Sequence, residues 1–213
     1  MLLVINMEYK VFSFRNALEI FKVNEAYSPY WDELEEVLQD ISEDDIIQTF
    51  LSSKRAAKSI SEAINILIKQ KLCEKGWYSE SYIFADKEYT TRGIWRLDFV
   101  KKSLAVEVAF NHGGSAAWNL IKPVLSSELN HVEKAIQTRA GVIITATDSL
   151  KKAGGFDGAI GTYEKYISYL KPLNTLLTVP LVIIGLEAPK TFKIKHEKVN
   201  GSIKGIVEKI EKD

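Results

Sequence analysis

Residues 95–110 constrain the fold of this 213-residue chain more than any other segment. Apolar residues alternate with other residues on both sides of positions 102–103, which is typical of two strands joined by a two-residue turn. Such a turn gathers the apolar side chains on one face: Leu97, Phe99, Leu104, Val106, Val108 and Phe110. A shift of one residue would mix apolar and polar side chains on each face, so the pattern favours this register.

The same register places Asp98 directly opposite Glu107. Their Cβ atoms would lie roughly 4.5–5.5 Å apart, a separation at which like charges destabilise a sheet. Three arrangements could offset the repulsion: Arg96 pairs with the carboxylates, one carboxyl keeps a proton because its neighbour raises its pKa, or a divalent cation lies between them. The residues alone leave these open, and acidic side chains on a hairpin are often only a solvated edge.

The rest of the chain predicts an α/β fold with a mixed central sheet flanked by helices. We expect helices within residues 16–21, 30–41, 44–76 with a break near 52–53, 116–137, and from a glycine-rich loop at 154–161 to 170. Further strands are expected at 7–15, 82–84, 141–145 and 179–186. We predict one domain over 1–213, with a helical part at about 16–76, a core at about 77–189 and a lysine-rich tail at 190–213.

Composition and charge exclude several classes of protein. Lysine and arginine total 28 and aspartate and glutamate 28, so the chain is not a globally basic nucleic-acid binder. Seven lysines from position 190 onward could still form a local basic face, or simply a solvated one. No apolar run is long enough to span a membrane, and the opening residues are too short for a signal peptide. A single cysteine, Cys73, and no zinc-like spacing favour a reducing, cytoplasmic compartment.

The sequence from Asp98 to Phe110, DFVKKSLAVEVAF, resembles the active-site hairpin of type II restriction endonucleases of the BglII/BstYI kind. These are PD-(D/E)XK-fold nucleases related in structure to BamHI. Further blocks resemble the family in the same order, at 76–80, 127–129, 142–145, 160–164 and 179–186. The spacing of the two carboxylates alone is weakly specific, whereas the ordered blocks, over about 72–189, are strongly specific.

The resemblance implies a homodimeric, Mg²⁺-dependent endonuclease that hydrolyses both strands of a short palindromic duplex DNA site and leaves 5′-phosphates. It implies that Asp98 and Glu107 bind the metal, that Glu80 is a further acidic residue of the active site, and that the Val108 carbonyl is another ligand. Mn²⁺ should substitute for Mg²⁺. Relatives read sites centred on GATC, which is the default expectation here, and a cognate DNA methyltransferase encoded nearby would be a functional partner without forming a complex.

Six residues are candidates for contact with DNA: Asn111, His112, Asp157, Thr162, Asn119 and Lys122. The first two follow the active strand, where relatives approach the major groove and where asparagine can pair with adenine edges. The loop with Asp157 and Thr162 lies where relatives carry a second recognition segment, although Thr162 could equally be an ordinary helix cap. Asn119 and Lys122 could contact phosphates or belong to a solvated surface.

One position departs from the family motif. Ala109 stands where the superfamily often has lysine and close relatives have glutamine or glutamate, and it can neither position water nor accept a proton. A side chain from elsewhere could replace it, with Asn111, Lys101 and Lys102 as candidates. The departure keeps two alternatives open: a repair or structure-specific nuclease of the same fold, and a DNA-binding homologue with impaired catalysis.

Overall fold

The computed structural model describes residues 4–53, 57–91, 93–128, 131–199 and 201–210. Its elements follow the chain in this order: β1 (Tyr9–Phe14), α1 (Ala17–Val23), α2 (Ser28–Gln39), α3 (Glu43–Ser52), α4 (Ser61–Glu74), β2 (Tyr78–Tyr82), α5 (Lys87–Thr90), β3 (Arg96–Lys101), β4 (Leu104–Val108), α6 (Ala116–Ser127), β5 (Ala140–Ala146), α7 (Asp148–Ala153), α8 (Tyr163–Leu170), β6 (Leu181–Leu186), β7 (Phe192–Val199) and β8 (Ser202–Lys209). Within these ranges, no helix is long and apolar enough to cross a bilayer.

Six strands form one mixed sheet in the order β1-β6-β5-β4-β3-β2, which confirms the predicted fold class. The pairs β4–β5 and β5–β6 are parallel, and the outer pairs are antiparallel. β5 and β6 are buried along their whole length, as expected for parallel strands that are covered on both faces.

Helices cover the two faces of the sheet and so enclose β4. On one face, α4 contributes Ile64 and Ile68 to an apolar cluster that also contains Phe99 and Val106. On the other face, Leu120 of α6 packs in a cluster with residues of α8, β5 and β6. A side chain on either face of β4 therefore lies against a helix rather than in bulk water.

The predicted helix over 116–137 is wrong in its second half, because α6 ends at Ser127. The chain that follows binds the segment after β2 instead: the Ala85 N–H donates to the Glu133 carbonyl at 2.9 Å and the Ala135 N–H to the Ile83 carbonyl at 3.0 Å. Val132 and Ile136 pack against the small apolar cluster around Phe84. The apolar spacing of Val132 and Ile136 therefore reflects burial in a loop. The strand predicted at 82–84 lies earlier in the chain, as β2, which ends at Tyr82.

The lysine-rich tail forms an antiparallel hairpin, β7–β8, which the sequence did not indicate. Phe192 and Ile194 of β7 are buried in the main apolar cluster. His196 Nε2 lies 3.0 Å from the Lys58 carbonyl and 3.1 Å from the Gly155 carbonyl. The start of the tail is thus anchored to the body, and Lys193 and Lys195, which alternate with the anchoring residues, are exposed.

Candidate active site

The β3–β4 hairpin has the predicted register, with Phe99 paired to Val106 and Lys101 paired to Leu104. Counting away from the turn, Phe99–Val106 is the last backbone pair between β3 and β4, so Asp98 is the first residue of β3 without a partner on β4. There the side chain takes over from the backbone, because Asp98 Oδ2 accepts the Val108 N–H at 2.8 Å. The two predicted carboxylates therefore lie at the open end of the hairpin, where the strands no longer bond to each other.

Asp98 also interrupts the pairing with β2 on its other side. The pairs Ser79–Phe99 and Ser81–Leu97 flank it, and the residue between those serines, Glu80, has a left-handed φ of 54°. A residue other than glycine pays about 1–3 kcal/mol for such a conformation, and strain of this kind is concentrated at functional sites. The irregularity corrects one expectation from the sequence, since Leu97 packs in the small cluster around Phe84 and not with Phe99.

Glu107 is almost fully removed from water, with 1% of its surface exposed. Its Oε2 accepts a hydrogen bond from Lys122 Nζ at 2.5 Å, whereas Oε1 is buried and has no hydrogen-bond partner within the part of the chain that the structure describes. Burial, followed by the nearby charge of Asp98, raises the pKa of Glu107 to about 8, against the opposing effect of Lys122. A buried oxygen without a hydrogen-bond partner lowers the stability of the folded protein. A role in structure alone therefore does not explain Glu107.

Asp98 shares this environment. Burial raises the pKa of its carboxyl, while the charge of Lys122 and the Val108 N–H act in the opposite direction. Asp98 Oδ2 is thus held by the Val108 N–H and Glu107 Oε2 by the Lys122 ammonium group, and the Asp98 backbone N–H also acts to lower the pKa of Glu107. Of the three arrangements that the sequence left open, pairing with Arg96 is not observed, because Arg96 Nη1 lies 3.2 Å from Glu80 Oε2.

These two carboxylates have the chemistry that a hard divalent cation requires. Oxygen atoms are its preferred ligands, and the partnerless Glu107 Oε1 is an available one. The Ala109 N–H bonds to β5 at the Ile144 carbonyl, so the N–H and C=O of Val108 point away from β5. Since the Val108 N–H reaches Asp98, its carbonyl is directed to the same side.

Glu80 lies nearby but does not complete a cluster. It opens onto the same cleft as Asp98, and this cleft is lined by Asn65, Lys69, Glu80, Asp98, Phe99 and Val108. Among the residues described, no three His, Cys, Asp or Glu side chains come close enough together to hold a metal ion. Lys69 and Asn65, both on α4, were not expected here, because nothing in the sequence shows which face of α4 borders β3.

The comparisons with known proteins bear on this geometry. A family model described as restriction endonuclease BglII/BglIII matches residues 9–186. The chain belongs to this family. A crystal structure of restriction endonuclease BglII complexed with a DNA 16-mer superposes with a TM-score of 0.62 at 19% sequence identity, covering 96% of this chain and 100% of the other. A crystal structure of free BglII superposes with a TM-score of 0.55 at 18% identity, with the same coverage.

A search of curated proteins returns no match. At these identities the superpositions show the fold alone, and the family match supplies the class of protein. Membership of the BglII/BglIII family makes the chain a restriction endonuclease, a hydrolase that acts on DNA within a restriction–modification system. The predicted resemblance and fold class are therefore confirmed.

In this BglII-family chain, two of the predicted recognition segments lie together. The Gly113 N–H donates to the Ala159 carbonyl at 2.7 Å and the Gly161 N–H to the Asn111 carbonyl at 3.0 Å. Asn111, His112 and Asp157 are exposed at this junction. His112 Nδ1 accepts the Gly114 N–H at 3.0 Å, and Asp157 Oδ1 accepts the Ala159 N–H at 2.7 Å, so both side chains have defined orientations.

The other three candidates for DNA contact are corrected by their positions. Asn119 is 2% exposed, and its amide donates to Asn111 Oδ1 at 3.0 Å and to the Tyr166 hydroxyl at 2.7 Å. Thr162 is 5% exposed, and although it occupies the N-cap position of α8 its side chain makes no capping hydrogen bond. Lys122 is bonded to Glu107 inside the site rather than placed on the surface.

None of the residues expected to replace the side chain missing at Ala109 is in position to do so. Asn111 Oδ1 is bonded to Asn119. Lys101 Nζ lies 2.8 Å from the carboxylate of Glu33, and Lys102 is in the turn at the opposite end of the hairpin from Asp98. Lys122 Nζ, in contrast, forms an ion pair with Glu107. Its place three residues after Asn119, beside the buried stripe of α6, is the sequence signal that could have indicated it.

Proposed function

We propose that this chain is a type II site-specific deoxyribonuclease that hydrolyses both strands of a short palindromic duplex DNA site and leaves 5′-phosphates. The observation that carries the proposal is a pair of carboxylates, the half-buried Asp98 and the buried Glu107, at the open end of the hairpin of a BglII-family fold. Asp98 interrupts the pairing of β3 with both of its neighbouring strands, whereas Glu107 is paired with Ile143 of β5. Removing charged groups from water lowers the stability of the fold, which favours a functional reason for keeping the two carboxylates there.

Asp98 and Glu107, with the Val108 carbonyl, would hold Mg²⁺, and Mn²⁺ should substitute for it. A divalent ion held there would supply a bound water of lowered pKa and positive charge to offset the negative charge on the phosphate. The protein contributes orientation: the Val108 N–H fixes Asp98, and Lys122 fixes Glu107. Glu80, held by Arg96 in the same cleft, is proposed as the additional acidic residue of the site.

DNA reading is proposed to come from the junction that exposes Asn111, His112 and Asp157, which follows directly on the active strand. A palindromic site matches a protein with twofold symmetry, so the working form would be a homodimer. We further propose a GATC-centred core, a single nuclease domain over residues 1–213, a cytoplasmic location, and a cognate methyltransferase that protects the host site.

Digestion of a long duplex DNA with the purified protein and Mg²⁺ tests the proposal. Discrete bands with 5′-phosphate ends, absent with EDTA and absent for Asp98→Asn, are expected, and sequencing the ends gives the site. Nicking that depends on junctions or lesions would instead indicate a repair nuclease. DNA binding without cleavage would indicate a catalytically impaired homologue, and either result would overturn the proposal.

A further inference from the structure

We propose that Lys122 is a positioning residue of the cleavage reaction, which holds the carboxylate of Glu107 in place. This inference rests on the proposed function and deepens it. It gives Lys122 a role inside the active site, in contrast to the phosphate contact that its sequence position suggested.

The geometry of α6 makes this possible. Glu107 pairs with Ile143 across β4–β5, and Ile143 packs in the cluster formed by Ala109 and the apolar residues of α6. Glu107 and Ala109 therefore lie on the face of the sheet that α6 covers. Ala109 is buried and carries only a methyl group, so its side chain cannot reach the carboxylates. Lys122 extends from α6 and reaches Glu107 from this covered face.

The contact fixes one half of the Glu107 carboxylate and leaves the other free. Nζ is bonded to Oε2, while Oε1 is buried and has no partner among the residues described. Because the two oxygens belong to one planar group, holding Oε2 also sets the position of Oε1. The Lys122 side chain is 12% exposed and that of Glu107 is 2% exposed, so water cannot easily replace the ammonium group in this task.

Stability alone does not explain this ion pair. A buried pair gains little over apolar residues of the same size, because both charges lose their hydration. Lys122 can donate three hydrogen bonds, and within the described residues only Glu107 receives one. A cation that orients a carboxylate beside a second carboxylate, Asp98, accounts for the arrangement.

A crystal structure with Ca²⁺ separates positioning from a simpler role in which Lys122 merely fills the cation position. We expect Ca²⁺ at Glu107 Oε1 and Asp98, with Nζ still within hydrogen-bond distance of Oε2. Displacement of Lys122 from Glu107, with Ca²⁺ at Oε2, would overturn the proposal. This measurement uses the unmodified protein and does not require cleavage.

Kinetics of Lys122→Met supply the second test. We expect cleavage at saturating DNA to slow by about 100-fold, the scale of a misplaced catalytic group, while DNA affinity measured with Ca²⁺ changes little. Lys122→Arg should recover roughly tenfold, because it keeps a cation that can bond a carboxylate. Lys101→Met is the matched control: it removes another lysine–glutamate pair of the same hairpin, with Glu33, and should leave cleavage unchanged.

The failures are distinguishable. If the unmodified protein cleaves no duplex DNA, the proposed function fails, and the Ca²⁺ structure still decides whether Lys122 positions Glu107. If the protein cleaves and Lys122→Met cleaves at the same rate, only the role of Lys122 is refuted.

Discussion

Lys122 and Glu107 are joined by an ion pair between α6 and β4 in which both side chains are nearly excluded from water. The lysine meets a carboxylate that already faces a second carboxylate, Asp98, on the neighbouring strand. The site of this BglII-family chain thus contains a cation of its own, which helix α6 supplies. The predictions below follow from this arrangement and from the packing that maintains it.

Replacing either carboxylate should abolish cleavage without unfolding the protein. Asp98→Asn and Glu107→Gln keep the shape of the side chain and remove the negative charge on which cation binding depends, so we expect a loss of roughly 100-fold or more. Rates of digestion with Mg²⁺, together with circular dichroism spectra, check this. Full activity in either variant would show that the substituted residue is not required for cleavage and would refute its assignment to the active site.

Stability without divalent ions should fall as the pH rises through the range of Glu107. Its pKa is raised from 4.5 to about 8 in the folded protein, so the folded state binds the proton more tightly than the unfolded state does. The stabilisation is complete below pH 4.5 and is lost by about pH 8, with a size on the order of a few kcal/mol. Urea unfolding in EDTA at pH 5 and pH 8 measures it. Glu107→Gln should flatten much of this dependence, and an unchanged slope would contradict the assignment.

Adding even one methyl group at Gly141 should destabilise the protein, because β5 packs closely against α6 at this residue. A Cβ at Gly141 would lie 2.6 Å from Pro123 Cβ and 2.9 Å from Leu181 Cδ2. We expect Gly141→Ala to lower the free energy of unfolding by about 1–3 kcal/mol, the usual cost of overpacking. Gly158→Ala, where a Cβ would meet nothing within 4 Å, is the control. Equal stability of the two variants would show that α6 can shift freely.

Asn111→Ala should weaken sequence discrimination more than general DNA affinity. Asn111 is exposed beside the active strand, and its Oδ1 is oriented by Asn119. Loss of one good amide contact to a base should cost about 1–3 kcal/mol of discrimination. Competition binding between the cognate site and single-base variants, in Ca²⁺, measures the change. An equal loss of affinity for all sequences would assign Asn111 to the phosphate backbone instead.

Alternation of side chains along β3 and β4 was sufficient to predict the hairpin and its register next to the turn, although Leu97 leaves the predicted apolar face. These features depend on neighbours in sequence, because a strand places successive side chains on opposite faces and only one register buries the apolar set. The buried strands β5 and β6 could likewise be predicted, because each is an apolar run bounded by turn residues. The helix predicted over 116–137 failed in its second half, because Val132 and Ile136 are buried in a loop that bonds to the chain after β2.

The sequence by itself therefore determined the α/β class and the order of the main elements, and it indicated Asp98 and Glu107 as candidate site residues. Only the tertiary structure brought Lys122 of α6 into contact with Glu107 and placed Lys69 of α4 in the cleft that Asp98 lines. It also decided that Asn119 and Thr162 lie in the interior. The reason is physical: hydrophobic periodicity records which face of an element is buried, whereas the partner that buries it depends on how distant elements pack together.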